Sequence, residues 1–470
     1  MEFPELAART HRFACGAPRT VTVARDGSRV VFLRSGGPQD PADALWQLDV
    51  ATATERLVAD PAALLDDATA PPLAGIATYA SDSTSRVAVF PLAGRLFRAD
   101  LVNGDVVDVP TVGPAVDPRP DPTGERIAYV TGGALRVVEP DGTDSLLAGE
   151  DGEVCWGLAE FVAAQEFDRR RGYWWAPDGR SILAARVDDA RVPRWHLHDP
   201  GDPDSAPKTV AYPRAGGPNA EVSLHLLDLD GGWVDVHWDR ETYPYVVSVD
   251  WTEGGPLITV LRRLQQHGLV LAVDPRTGET QVHAELADPR WVEPIAGTPC
   301  HLADGRVLVG GELAHDGYDA RCLFADGTLL TPPALYVRRV LGRLPNDGGA
   351  PDLLVEASDG EPSQQHLFRV RTAVSVGGVD TRRLTPTAGW HIGAVGGDVI
   401  VVGAVSLDYP GTRWTVWRGD AEVTVLRSLA ATPPYAPRPA LERVTDRRLP
   451  AAVLYPRTHV AGRRLPVLLD

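Results

Sequence analysis

Lysine is almost missing from this chain: Lys208 is the only one, and arginine supplies the rest of the 46 basic residues. Methionine is confined to Met1, and cysteine to Cys15, Cys155, Cys300 and Cys322. No two cysteines are spaced as C-x-x-C and none clusters with histidine, so neither a zinc-ligand set nor a disulfide framework is offered. No apolar run approaches the ~18 residues of a membrane span. The segment from Met1 to Leu6 lacks the basic and apolar regions of a secretory signal. There is no Walker loop, no H-E-x-x-H and no G-x-G-x-x-G after a strand, so no cofactor or metal is expected. Positive charge is in deficit as well: 63 acidic residues against 46 basic ones leave a net charge of −17. Such a surface repels phosphate backbones and anionic lipid, which argues against nucleic-acid and membrane partners. These absences together predict a cytoplasmic protein.

What is present is repetition. A chain of 470 residues exceeds one ordinary domain of roughly 100–200 residues. A turn followed by a β-branched, alternating strand recurs along it. The strands begin after Arg25–Ser28, Ser81–Ser83, Asp121–Gly124, Pro177–Gly179, Glu253–Gly255, Asp304–Gly305, Asn346–Gly349 and Gly396–Gly397. Eight such points, each followed by room for about four strands, predict an all-β, eight-bladed β-propeller over residues 1–440. A row of sandwiches is the alternative, and regular spacing without linkers argues against it.

Three stretches depart from the repeat. The interval between Asp178 and Glu253 is too long, and Trp195–Gly217 reads as an inserted arm. Between Glu153 and Arg171, the residues Leu158, Phe161, Val162 and Gln165 fall on one helical face, which predicts a short helix inside one blade. After residue 440 the pattern changes, and Leu465–Leu469 is an apolar run that reads as a buried strand.

Catalytic signatures are sparse. No serine lies in G-x-S-x-G, the turn a hydrolase nucleophile needs, and no nucleophile–base pair is recognisable. His196, His198 and Asp199 read as a solvated loop, and Trp174 and Trp175 as packing between blades. The informative segment is Gly157–Arg169 (Gly-Leu-Ala-Glu-Phe-Val-Ala-Ala-Gln-Glu-Phe-Asp-Arg), followed by Gly172-Tyr-Trp-Trp-Ala-Pro-Asp-Gly179. It resembles the dipeptidyl-peptidase IV-like serine peptidases of the prolyl oligopeptidase superfamily. Tyr212-Pro-Arg-Ala-Gly216 with Asn219 and Val222 extends the resemblance, which spans nearly the whole chain. It implies a propeller whose helix carries a carboxylate pair that holds the free α-ammonium of a peptide, the pair falling on Gln165 and Glu166. It implies release of Xaa-Pro-type dipeptides, and a homodimer through the arm near Trp195–Ala211. Residues 441–470 are then the beginning of an α/β-hydrolase domain, truncated in this chain, and residues 1–20 are expected to pack on that domain.

The departures matter. Gln165 stands where relatives carry glutamate, so only Glu166 is charged. Ala62–Leu73 contains no arginine, although relatives supply a carbonyl-binding one there. The family's triad lies beyond these residues. The reading is therefore a substrate-gating, N-terminus-anchoring propeller, inactive by itself. A non-catalytic, peptide- or protein-binding relative is the alternative, and an unrelated interaction propeller is the third reading.

Overall fold

The computed structural model describes residues 2–65, 75–346, 349–373, 378–460 and 462–468. Eight antiparallel sheets follow one another along the chain and make an eight-bladed β-propeller. Blade 1 runs from Arg19–Val23 to Thr54–Ala59, blade 2 from Ala80–Ser81 to Val106–Val109, and blade 3 from Val116–Pro120 to Asp144–Ala148. Blade 4 runs from Val154–Trp156 to Trp233–Asp235, blade 5 from Tyr245–Thr252 to Thr280–Ala287, and blade 6 from Cys300–His301 to Thr328–Leu329. Blade 7 spans Leu335–Leu344 to Thr381–Arg383, and blade 8 spans Trp390–Gly396 to Ala421–Leu426. First strands of neighbouring blades touch one another, as Arg19–Val23 touches Trp390–Gly396 and Tyr245–Thr252 touches Cys300–His301. The first strand of each blade is therefore the inner one and lines the central channel.

The eight sequence repeats all land on one structural position, the second strand of a blade. The turn before it is held by its own side chains. Asp82, 5% exposed, accepts from the backbone N–H groups of Arg86 and Val87, each at 2.7 Å. Asp121 accepts from Glu125 N at 3.0 Å, and Asp26 from Ser28 N at 2.9 Å. Short polar side chains that bond the backbone a few residues on fix a turn locally. At Gly27, with φ +72°, a Cβ would also crowd Gly396 O at 3.0 Å, so the turn of blade 1 presses against blade 8. Asp347 and Gly348 of the seventh turn lie outside the described residues.

The core is a set of seams. Val31, Leu33 and Leu45 of blade 1 meet Ala88, Phe90 and Leu92 of blade 2. Similar apolar clusters fill the boundaries between successive blades around the ring. The last one closes it, with Val30, Phe32 and Leu48 of blade 1 against Val399, Val401 and Val416 of blade 8. Trp414 Nε1–H donates to Pro18 O at 3.1 Å, and Arg34 to Arg427 O at 2.6 Å, across the same seam. Each blade is one contiguous stretch of chain, so among the described residues no strand is shared between the two ends of the ring, which side-chain packing and the hydrogen bond from Leu429 N to Gly16 O at 2.7 Å hold together. Trp174 faces the blade 4–5 seam and Trp175 the blade 3–4 seam, as expected of an inter-blade pair.

The described helices are short: α1 (Phe3–Arg9), α2 (Pro61–Leu64) and α3 (Phe161–Glu166). The helical face expected over Glu153–Arg171 shrinks to α3, because Val154–Trp156 pairs with Arg186–Asp188 as a strand and Leu158 bridges to Arg171. The expected arm is a hairpin, Arg194–Leu197 against Lys208–Ala211. Beyond blade 8, Ala440–Val444 and Leu449–Val453 form a hairpin in a sheet of their own. Residues 465–468 of the expected final strand have no sheet partner, with Val467 and Leu468 81% and 95% exposed; Leu469 and Asp470 lie outside the described residues. Of residues 1–20, Arg19 and Thr20 belong to blade 1, and Phe3 lies 5.6 Å from the ring of Tyr435.

Candidate functional site

Blade 4 has an interrupted inner strand. Trp156 pairs with Arg186 and Tyr173 with Ala184, so both halves lie on one line along the second strand, Ser181–Asp188. Between them Gly157 N donates to Ala185 O at 2.9 Å, and Ala185 N to Gly172 O at 2.7 Å, sealing the gap. Residues 158–171 thus leave and re-enter in mid-strand. The second strand holds one edge of this strand, so the excursion emerges at the other edge, which faces the channel. At its base a Cβ on Gly172 would lie 2.4 Å from Leu158 N, so only glycine permits the two legs to approach so closely.

At the tip of the excursion sits α3. Glu160 caps it, its carboxylate accepting from Val162 N and, at 2.9 Å, from Ala163 N. Glu160 is 8% exposed, and burial pushes its carboxyl pKa up against the pull of the Ala163 N–H and of Arg169. Val162 and Phe167 seat the helix on Tyr245, Val247 and Leu261 of blade 5. Phe161 meets the ring of Tyr212 edge-on at 5.1 Å, and Tyr212 in turn lies 4.5 Å from Trp195 of the arm. Buried Arg169 bolts the excursion to blade 5, donating to Val246 O at 3.2 Å and to Arg171 O at 2.7 Å. Burial lowers its guanidinium to about 10, and Glu160 pulls it back up. One of its terminal nitrogens is buried without a hydrogen-bond partner among the described residues.

Gln165 and Glu166 end the helix, side by side and both exposed. Neither side chain has an ion-pair or hydrogen-bond partner among the described residues. The structure therefore leaves one exposed carboxylate and one exposed amide at the C-terminal end of α3. Residues Asn219 and Tyr245 stand behind this region, with Asn219 Nδ2 donating to the Tyr245 hydroxyl at 2.9 Å. Tyr245 and the roles of Arg169 and Glu160 were not legible in the sequence; the acid six residues before Glu166 was the available signal. Residues 66–73 of the arginine-free stretch lie outside the described residues.

A second constellation corrects the sequence reading, which found no nucleophile–base pair. Ser223 Oγ lies 2.7 Å from His225 Nε2, and His225 Nδ1 lies 2.7 Å from Asp235 Oδ1. Alternation puts Ser223 and His225 on one face of a strand, and Asp235 is cross-strand from His225. Spacing alone could not reveal it, because the aspartate arrives on the next strand. Ser223 and His225 are each 6% exposed, and His225 is flanked by the indoles of Trp156 at 4.9 Å and Trp233 at 5.1 Å. Burial lowers the imidazole pKa while Asp235 raises it. A serine walled in this way cannot meet a peptide carbonyl, so the trio serves blade 4 as a hydrogen-bonded staple.

The arm histidines stay on the surface; His196 Nδ1 lies 3.1 Å from Thr209 Oγ1. Among the described residues no group of three or more His, Cys, Asp or Glu side chains could hold a metal ion, and no helix is long and apolar enough to cross a membrane.

The family model for the dipeptidyl peptidase IV (DPP IV) N-terminal region matches residues 79–400, from the inner strand of blade 2 to the second strand of blade 8. The chain belongs to this family. Curated relatives include "Probable dipeptidyl-aminopeptidase B" of Ajellomyces capsulatus, 26% identical over 252 residues, 47% of this chain and 27% of that protein. The protein of the same description in Emericella nidulans is 26% identical over 302 residues, 57% of this chain and 33% of the relative. The matched stretch thus spans about a third or less of these relatives' length. The crystal structure of Porphyromonas gingivalis dipeptidyl peptidase 4 superposes with a TM-score of 0.74 at 18% identity, covering 97% of this chain and 66% of that one. At that identity the likeness speaks to the fold, and it is the fold of a DPP IV-like N-terminal propeller.

Proposed function

We propose that this propeller anchors the free N-terminus of peptide substrates for a serine dipeptidyl peptidase that releases Xaa-Pro-type dipeptides. The observation that carries this reading is the mid-strand excursion of blade 4, whose short helix ends on the exposed carboxylate of Glu166. A carboxylate and an amide acceptor side by side suit an ammonium, which offers three N–H donors. The propeller would also gate access, admitting only chains that thread its channel. The serine, histidine and aspartate of the reaction would come from a hydrolase domain following residue 440, and a cytoplasmic setting and a homodimer through the arm near Trp195–Ala211 belong to the same proposal.

The test is calorimetric titration of the 470-residue chain with an Xaa-Pro peptide in free and N-acetylated form. The free form should bind more tightly, and Glu166→Ala should erase the difference. Equal binding of both forms by the unaltered chain would overturn the reading. Gln165 favours a second reading, a non-catalytic peptide-binding propeller, because it halves the charge of the anchor. Peptide cleavage by the natural full-length gene product would separate the two.

A further inference from the structure

Across the ring from blade 4 lies a cavity of about 710 Å³, bounded by the inner strands of blades 7, 8 and 1. Its lining includes Arg338, Arg339, Trp390 and Trp414. We propose that this cavity binds a carboxylate of a peptide held in the channel, so that the propeller favours peptides carrying acidic groups downstream of their N-terminus.

Strand alternation breaks in the inner strand of blade 7. Successive residues of a regular strand point to opposite faces. In the inner strand of blade 7, Val337 pairs with Ala357 and Arg339 with Glu356, leaving Arg338 as an unpaired bulge residue. Val337 and Val340 turn into the blade, and the two consecutive arginines both line the cavity. A bulge re-aims a side chain in this way.

These charges are not consumed internally. Arg339 is exposed, and its side chain has no hydrogen bond or ion pair among the described residues. Arg338 uses Nε toward Ser358 Oγ at 3.2 Å and lies over the Trp390 ring at 4.9 Å, which leaves its terminal nitrogens for a ligand. A third lining arginine, Arg19, is already paired with Asp43. The acid of the lining, Glu356, is 7% exposed and accepts from Gly393 N at 3.1 Å; burial raises its carboxyl pKa against the pull of the Gly393 N–H and of both arginines. In a chain of net charge −17, two guanidiniums facing a single buried acid, beside exposed indole, make a local anion site. Guanidinium forks match carboxylates, and indole faces accept the peptide body.

The inference rests on the peptide-binding reading above, and its test keeps the two apart. Three free-amine peptides with proline at the second position are titrated into the 470-residue chain. One is amidated with two downstream glutamates, one amidated with two glutamines, and one carries the glutamines with a free C-terminus. The first or third should bind about tenfold more tightly than the second, the scale of one charge-assisted contact, and which of them does so identifies the source of the carboxylate. Arg339→Gln should shrink this preference, and Arg338→Gln with Arg339→Gln should abolish it. The preference should persist when all three peptides are N-acetylated, even if acetylation weakens or spares overall affinity; that arm reports on Glu166 alone. Equal binding of the three by the unaltered chain, no binding at millimolar concentration, or an undiminished preference in the folded double variant would overturn the proposal.

Discussion

At the scale of residues, the site turns on the difference between a carboxylate and an amide one position apart. Gln165 can accept a hydrogen bond but brings no charge, so in the proposed anchor Glu166 alone would attract an ammonium. Both are exposed, so solvent screens the attraction and a single added charge is worth about 1 kcal/mol. Gln165→Glu should therefore tighten free-amine peptides about fivefold, leave N-acetylated peptides unchanged, and show both results in one calorimetric series. The sequence made Gln165 and Glu166 legible because they sit in a motif. The support beneath them was not legible: Glu160 looks like any acid, and only the fold shows that its carboxylate caps α3 while Arg169 ties the loop to Val246. Ser223, His225 and Asp235 make the same point, since their trio depends on a cross-strand register that no spacing rule supplies.

Among the elements, the blade seams carry stability, and one of them is sensitive to acid. His366 and His391 lie between blades 7 and 8 with their rings 5.1 Å apart. His366 bonds Thr385 Oγ1 and Gln364 Oε1, each at 3.1 Å. Burial, Arg383 and His391 push His366 down to about 4, against the pull of Asp359. The folded chain thus holds this proton less tightly than the unfolded chain, whose histidines titrate near 6.5. The stability contributed by neutral His366 is complete above about 6.5 and is lost as pH falls toward 4. Thermal unfolding should show a Tm that drops between pH 7 and pH 4.5, and a shallower drop for His366→Gln. Equal slopes in the two proteins would remove His366 from the account. The blade count was readable because each Asp- or Gly-bearing turn precedes a largely apolar second strand, as Asp121 precedes Ile127–Thr131. The length of α3 was not, since Val154–Trp156 fits a helical face in sequence and a strand in space.

For the whole molecule, the proposal assigns recognition to the ring, and the Ser–His–Asp trio found among the described residues is buried at Ser223 and His225. The 470-residue chain should therefore not turn over an Xaa-Pro chromogenic dipeptide above the buffer rate, and Ser223→Ala should not alter that result. Turnover that survives repurification and disappears in Ser223→Ala would mean that the blade 4 staple opens to substrate. The central claim is that a helix thrust from the inner strand of blade 4 holds a peptide N-terminus. A crystal structure of the chain with a free-amine Xaa-Pro peptide tests it most directly. The peptide nitrogen should lie about 3 Å from a carboxylate oxygen of Glu166, with the Gln165 amide oxygen facing the same nitrogen. A peptide bound in the channel with its N-terminus directed away from α3 would contradict the account.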